Sequence, residues 1–286
     1  MAVIDSKKKT FLGVVGVIVL LGAAYFGYQA FTYIKTDNAQ VAAHITMLSS
    51  RVAGTIKSVV VDENQKVKAG EVLAEVDSAD YANAYQAADA QVASLKARFQ
   101  EAQINYQRTS KLLRNFAVSQ EKFDNATAGF KEIEARLKAA QAQLDQASLN
   151  VAYTKILAPT DGVIARKSIE PGQYVPMGQP LFGFVETRDR WIIANLKETE
   201  LKDVKIGATA YITVDAIPGR EFIGKVDSVS PSTGAVFSLL PPDNATGNFT
   251  KVVQRVPVRI KLTDVSADET DRLQAGLSAL VAIRSR

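Results

Sequence analysis

The sequence predicts a mostly β, α+β chain with a coiled coil. It should comprise an N-terminal transmembrane helix, a β-sandwich split by an inserted antiparallel α-hairpin, and a C-terminal β-barrel. Three observations carry this. An uncharged stretch covers residues 10–34. A glycine-punctuated strand motif at residues 50–77 returns at residues 159–186. Between the two copies, apolar and small residues recur at steps of three and four, the spacing of one helix face.

At 1.5 Å per helical residue, the stretch 10–34 is long enough to cross a hydrocarbon core of about 30 Å. The apolar region of a secretory signal is shorter, about 7–15 residues, so the segment reads as a retained anchor. Lys7, Lys8 and Lys9 precede it, whereas Lys35 and Asp37 roughly cancel after it. The positive-inside rule then leaves residues 1–9 in the cytoplasm and the bulk of the chain outside. Tyr25, Tyr28, Phe31 and Tyr33 fall at the outer interface, where aromatic rings anchor well. The reading is a single-pass membrane protein with a soluble body.

Composition excludes much. The 286 residues carry a net charge of only +4 and no cysteine. Disulfides, thiol catalysis and cysteine-based zinc sites are therefore absent. His44 is the only histidine, so a histidine cluster is impossible. No basic run exists beyond Lys7–Lys9, so nucleic-acid binding lacks an electrostatic footprint. No phosphate loop, HExxH helix or nucleophile elbow occurs, and Asp161, Glu170 and Glu198 are scattered. The chain reads as a non-enzyme without cofactor or metal.

The two copies share register. Gly54 pairs with Gly162 and Gly70 with Gly178; Ile56, Val61, Val67 and Leu73 match Ile164, Ile169, Val175 and Leu181. Asn64 matches Gly172, both types suited to positive φ in a tight turn. Gly54, Gly70, Gly162 and Gly178 are thus read as the turn glycines of the motif. Each copy, residues 49–77 and 159–186, resembles half of a biotinyl/lipoyl domain. Lipoyl carriers present a modified lysine on the hairpin joining the halves. Here residues 78–158 replace that hairpin, and Lys66 and Lys68 lie inside the first half, so a carrier role lacks its acceptor.

Within the insertion, Tyr85, Ala88, Val92, Leu95, Phe99, Ala102, Tyr106, Thr109 and Leu113 form one heptad seam. Ala126, Phe130, Ile133, Leu137, Ala140, Leu144, Ala147 and Val151 form the second. Residues 115–119 are the turn, with Ser119 an N-cap and Glu121 in the first helical turn. So short a connection makes the helices antiparallel. After residue 186, strands are expected at 191–196, 209–214, 222–228, 256–262 and 279–283, with a short helix at 198–204. A strand within residues 35–48 would return to complete a barrel formed with residues 187–286.

Around the turn, Arg108, Leu112 and Ser119 stand in the spacing of an Arg, a Leu four on and a Ser seven further. That pattern resembles the hairpin tip of membrane fusion proteins that dock on TolC-type channels. Residues 36–45, 239–247 and 248–260 resemble segments of the EmrA branch of the HlyD family. The resemblance implies a periplasmic adaptor of an efflux pump, held in the inner membrane. Its implied partners are an inner-membrane transporter, a major-facilitator drug/proton antiporter by the EmrA-like segments, and a TolC-like outer-membrane channel. It also implies a homo-oligomeric ring, trimer or hexamer. An ABC exporter for peptides or proteins is the alternative transporter, and a tethered coiled-coil scaffold without transport is the alternative of a different class. Leu112 as mere core and Ser119 as mere cap stand beside the docking reading.

Overall fold

A computed structural model describes residues 32–234, 236 and 253–285. In chain order the elements are β1 (Tyr33–Ser49), β2 (Gly54–Val59), β3 (Lys66–Val67), β4 (Val72–Val76), α1 (Ala79–Arg114), α2 (Gln120–Tyr153), β5 (Lys155–Leu157) and β6 (Gly162–Lys167). There follow β7 (Tyr174–Val175), β8 (Pro180–Lys197), a 3-10 helix (Glu198–Asp203), β9 (Thr209–Val214), β10 (Glu221–Val229), β11 (Arg255–Leu262), α3 (Ala267–Arg272) and β12 (Ser278–Arg284). The chain divides into two compact units, residues 45–185 and the flanking segments. Residues 10–31 of the expected anchor and the loop 239–247 lie outside the described residues. Among those described, no helix is long and apolar enough to cross a membrane. Tyr33 and Ile34, read above as the end of the anchor, instead open β1. Ile34 pairs with Ile283 of β12 and packs against a barrel core, which a strand allows and a continuing helix would not.

The flanking unit is a β-barrel. Its strands follow the order β1-β12-β9-β10-β11-β8, and β1 also pairs with β8, closing the sheet. Period-two alternation fills the interior: Ala210, Ile212 and Val214 from β9, Phe222 and Val226 from β10, Val258 and Ile260 from β11, Val281 and Ile283 from β12. The helix α3 is absent from the sequence reading. It is held by a capping box in which the Ser266 hydroxyl accepts from the Glu269 N–H and the Glu269 carboxylate accepts from the Ser266 N–H. Arg220 clasps the same segment, reaching Glu269 at 2.8 Å and Asp264 at 3.1 Å. Leu273, directly after α3, is fully buried in the core.

The central unit obeys its internal repeat bond by bond, at an offset of 108 positions. The Asn64 N–H donates to the Ile164 carbonyl at 2.7 Å, and the Gly172 N–H to that of Ile56 at 2.8 Å. The Gly70 N–H donates to Ala158 and the Gly178 N–H to Ser50, both at 2.8 Å. Val60 donates to Leu73 and Ser168 to Leu181, both at 2.9 Å. Strand β2 pairs with β7 through Gly54 and Val175, as β6 pairs with β3 through Gly162 and Val67. Each half therefore closes the backbone of the other, and the shared core includes Ile56, Leu73, Ile164, Leu181, Phe182 and Phe184.

The repeat also explains how an insertion of this length is tolerated. The helices α1 and α2 leave and return where the halves meet. The Tyr81 hydroxyl donates to the Ala53 carbonyl at 2.7 Å, fixing the first turn of α1. The Val76 N–H donates to the Thr154 carbonyl at 2.8 Å, fixing the end of α2. A preformed hairpin brings its own ends together, so the loop-closure entropy of a free segment is avoided.

Candidate functional site

The hairpin seam forms from the residues its heptads nominate, save Tyr85, which is exposed. Leu95, Thr109 and Ala140 are buried. Toward the distal end the seam is aromatic, with ring centroids of Phe99 and Phe130 5.3 Å apart, of Tyr106 and Phe130 5.3 Å, and of Tyr106 and Phe123 5.7 Å. Thr109 is accommodated because its hydroxyl donates to the Asn105 carbonyl at 2.8 Å. At 36 and 34 residues, the helices extend roughly 50 Å.

The tip closes by a glycine-type C-terminal motif without a glycine. The Phe116 N–H donates to the Leu113 carbonyl at 2.9 Å and the Ala117 N–H to the Leu112 carbonyl at 2.9 Å. These are the paired bonds of a Schellman cap, in which the residue after the C-cap adopts left-handed geometry. That residue is Phe116, at φ 56°. On the other side, the Ser119 hydroxyl accepts from the Lys122 N–H at 3.3 Å and caps α2.

The structure brings the three tip residues of the sequence motif to one end of the rod. Arg108 and Ser119 are exposed. Leu112 is 39 % exposed and stands outside the seam, whose positions here are Thr109 and Leu113. A core role for Leu112 therefore does not fit, whereas Ser119 does cap. Arg108 and Leu112, one helical turn apart, share a face. Phe116 was passed over by the heptad reading; an aromatic residue in the short turn between two seams was the available signal.

The glycines of the motif divide into two kinds. Gly70 and Gly178 occupy turns at φ 79° and 86° with open space around them. Gly54 and Gly162 are the first residues of β2 and β6, not turn residues. Close approach requires glycine there: an added Cβ would meet Val76 at 2.6 Å and Phe184 at 2.2 Å. Lys66 and Lys68 are exposed, and neither lies in the segment 78–158 that connects the halves; Lys66 stands on β3, opposite Val163 of β6. His44 lies against Trp191 at a tilt of 58° with centroids 4.8 Å apart, and Arg259 lies over that indole at 4.2 Å. Among the described residues, no group of three or more His, Asp or Glu side chains could hold a metal ion.

These domains have known counterparts. The barrel-sandwich hybrid domain of RND membrane fusion proteins matches residues 44–187, and the CusB-like β-barrel domain matches residues 190–286. The colistin resistance protein EmrA of Acinetobacter baumannii is 31 % identical, over 99 % of this chain and 96 % of its own length. The chain belongs to the membrane fusion protein family. This membrane fusion protein is of the EmrA type and, like its family, is a non-enzymatic adaptor. It is also 34 % identical to the fatty acid resistance protein FarA of Neisseria gonorrhoeae, over 87 % of this chain and 75 % of that one. Among solved structures, the membrane fusion protein Spr0693 of Streptococcus pneumoniae superposes with TM-score 0.64 at 18 % identity, covering 89 % of this chain and 99 % of the other.

Proposed function

We propose that this membrane fusion protein is the periplasmic adaptor subunit of a multidrug efflux pump. The uncharged stretch from residue 10 up to the start of β1 at Tyr33 anchors it in the inner membrane, with residues 1–9 cytoplasmic and the two folded units in the periplasm. It joins an inner-membrane transporter of the major-facilitator drug/proton antiporter class to a TolC-like outer-membrane channel, as a ring of three or six copies. The observation that carries this reading is the exposed hairpin tip. Arg108, Leu112 and Ser119 stand together at the end of a rod rooted in a split sandwich, with Leu112 turned out of the seam. Its relatives include a colistin resistance protein and a fatty acid resistance protein, which supports export of amphiphilic toxic compounds.

The division of labour follows from the residues. Without a catalytic or nucleotide-binding motif the adaptor couples and does not pump, so energy comes from its transporter. Arg108 offers a planar fork of donors that can engage a carbonyl or carboxylate in two places, which Lys cannot mimic. Leu112 supplies apolar contact on the same face. Ser119 holds the start of α2 in place so that the other two are presented at a fixed height.

In-cell photo-crosslinking tests the reading, with probes at Leu112 and Ser119 and a control probe at Thr213 on the barrel. Capture of the outer-membrane channel from the tip positions alone is expected. Capture of a second copy of the chain only, with tip and control alike, would overturn it in favour of a tethered scaffold.

A further inference from the structure

We propose that Phe116 is the anchor residue of the hairpin tip, inserted in an apolar socket bordered by carboxylates on the periplasmic end of the outer-membrane channel. This rests on the docking reading above and adds the residue and the chemistry of the surface it meets.

The backbone bonds of the tip define a position for glycine or asparagine, since left-handed geometry crowds a Cβ against the next carbonyl. A phenylalanine sits there at φ 56°. The residue is 97 % exposed, more than any other large apolar residue among those described. It makes no contact that would repay that conformation within the chain. Its neighbours Leu112, 39 % exposed, and Val118 extend the apolar surface around it. Aromatic rings at the centre of a contact, enclosed by polar groups, carry a disproportionate share of binding energy.

The polar groups around Phe116 give the partner its sign. Arg108, Lys111, Arg114 and Lys122 are exposed, against two carboxylates, Glu121 and Asp124. None of the four cations forms an ion pair with another described residue, and Asp124 already accepts from the Gln120 amide at 2.9 Å. Lys111 and Arg114 in the last turn of α1 suit its helix dipole. Arg108 lies above that turn, and Lys122 lies in the first turn of α2, where a cation opposes the dipole. Both are better placed for a partner than for the helix they stand on. An apolar ring with a cationic border fits a socket with an acidic border, and such borders steer encounter and fix register.

The same geometry supplies a test in which folding and docking move in opposite directions. The full-length chain in detergent is passed over a purified TolC-type channel held in nanodiscs on a biosensor. Phe116→Gly places the favoured residue at the left-handed position, so its thermal midpoint should match or exceed that of the native protein. Its affinity for the channel should fall by about tenfold or more, as for an aromatic anchor. Phe116→Leu, which keeps apolar bulk, should retain most of the binding, and binding should weaken as salt rises. If Phe116→Gly binds like the native chain while Arg108→Asp does not, the anchor assignment is overturned and docking stands. If Phe116→Gly loses binding and thermal midpoint together, the ring is structural and the assignment is also overturned. If the native chain and Arg108→Asp bind equally, or neither binds, both the docking reading and the anchor fall.

Discussion

The ring of Phe184 occupies the space that a side chain on residue 162 would need. A Cβ on Gly162 would lie 2.2 Å from Phe184 Cζ and 2.6 Å from the Val185 carbonyl oxygen. One repeat earlier, Gly54 stands in the same relation to Val76, at 2.6 Å. The motif thus repeats a close packing of strand on strand, not only a set of turns. Gly162→Ala should destabilise the central unit by about 3 kcal/mol, the upper end for overpacking. Phe184→Leu should relieve part of that, so the double variant should be more stable than the sum of the singles predicts. Thermal or denaturant melts of the four proteins check this, and additive losses would dismiss the contact.

The other pair of glycines should behave differently. Around Gly178 nothing lies within 4 Å of an added Cβ, so only its φ of 86° resists substitution. Gly178→Ala should therefore lose about 1 kcal/mol, clearly less than Gly162→Ala. Gly172 at φ 85° has Asn64 at φ 65° as its counterpart. Because asparagine tolerates this geometry, Gly172→Asn should melt within about 0.5 kcal/mol of the native protein, and Gly172→Val should not.

Leu95 and Leu112 separate seam from surface on one helix. Leu95 is 7 % exposed and Leu112 is 39 % exposed. Leu95→Ala should destabilise the hairpin by about 2–3 kcal/mol, as for a leucine lost from a packed site. Leu112→Ala should change stability by no more than about 0.5 kcal/mol and should instead reduce export of a toxic amphiphile in a susceptibility assay. Equal melting losses for the two would return Leu112 to the core.

On the barrel, Glu269 is held below the ordinary carboxylate range by the Ser266 N–H and then by Arg220. Because its folded pKa is depressed, it stabilises the fold above its unfolded pKa. That contribution is lost as pH falls through the lower folded value. Glu269→Gln keeps a capping side chain at the same helical position but removes the charge. The variant should melt below the native protein at neutral pH and converge with it in acid, below the ordinary glutamate value of 4.5. A constant difference across that range would assign the effect to packing instead.

Elements whose causes are local were legible in the sequence. The seam through Leu95, Thr109 and Leu113, the cap at Ser119 and the bounds of β9 all follow from spacing or from a single side chain. The helix α3 was missed because six residues carry too little periodicity, although the box formed by Ser266 and Glu269 was present in the sequence. The motif glycines were read alike because spacing cannot distinguish a turn from a close contact. What requires glycine at residue 162 is a ring 22 positions further along the chain. Phe116 was passed over for a related reason: heptads describe what faces inward, and this ring faces nothing in its own chain.

Ser119 combines a role in the fold with a proposed role in docking, and the two can be separated. Its hydroxyl accepts from the Lys122 N–H, so Ser119→Ala should lower hairpin stability by about 1 kcal/mol. Aspartate caps as well as serine and adds a charge that suits a helix N-terminus. Ser119→Asp should therefore melt like the native protein. If the tip meets an acidic border, the added carboxylate beside Phe116 and Lys122 will be repelled, and drug export should fall despite intact folding. Export and crosslinking yield measured beside the melting midpoint decide it. Full export by Ser119→Asp would leave Ser119 as a cap alone and remove it from the docking surface.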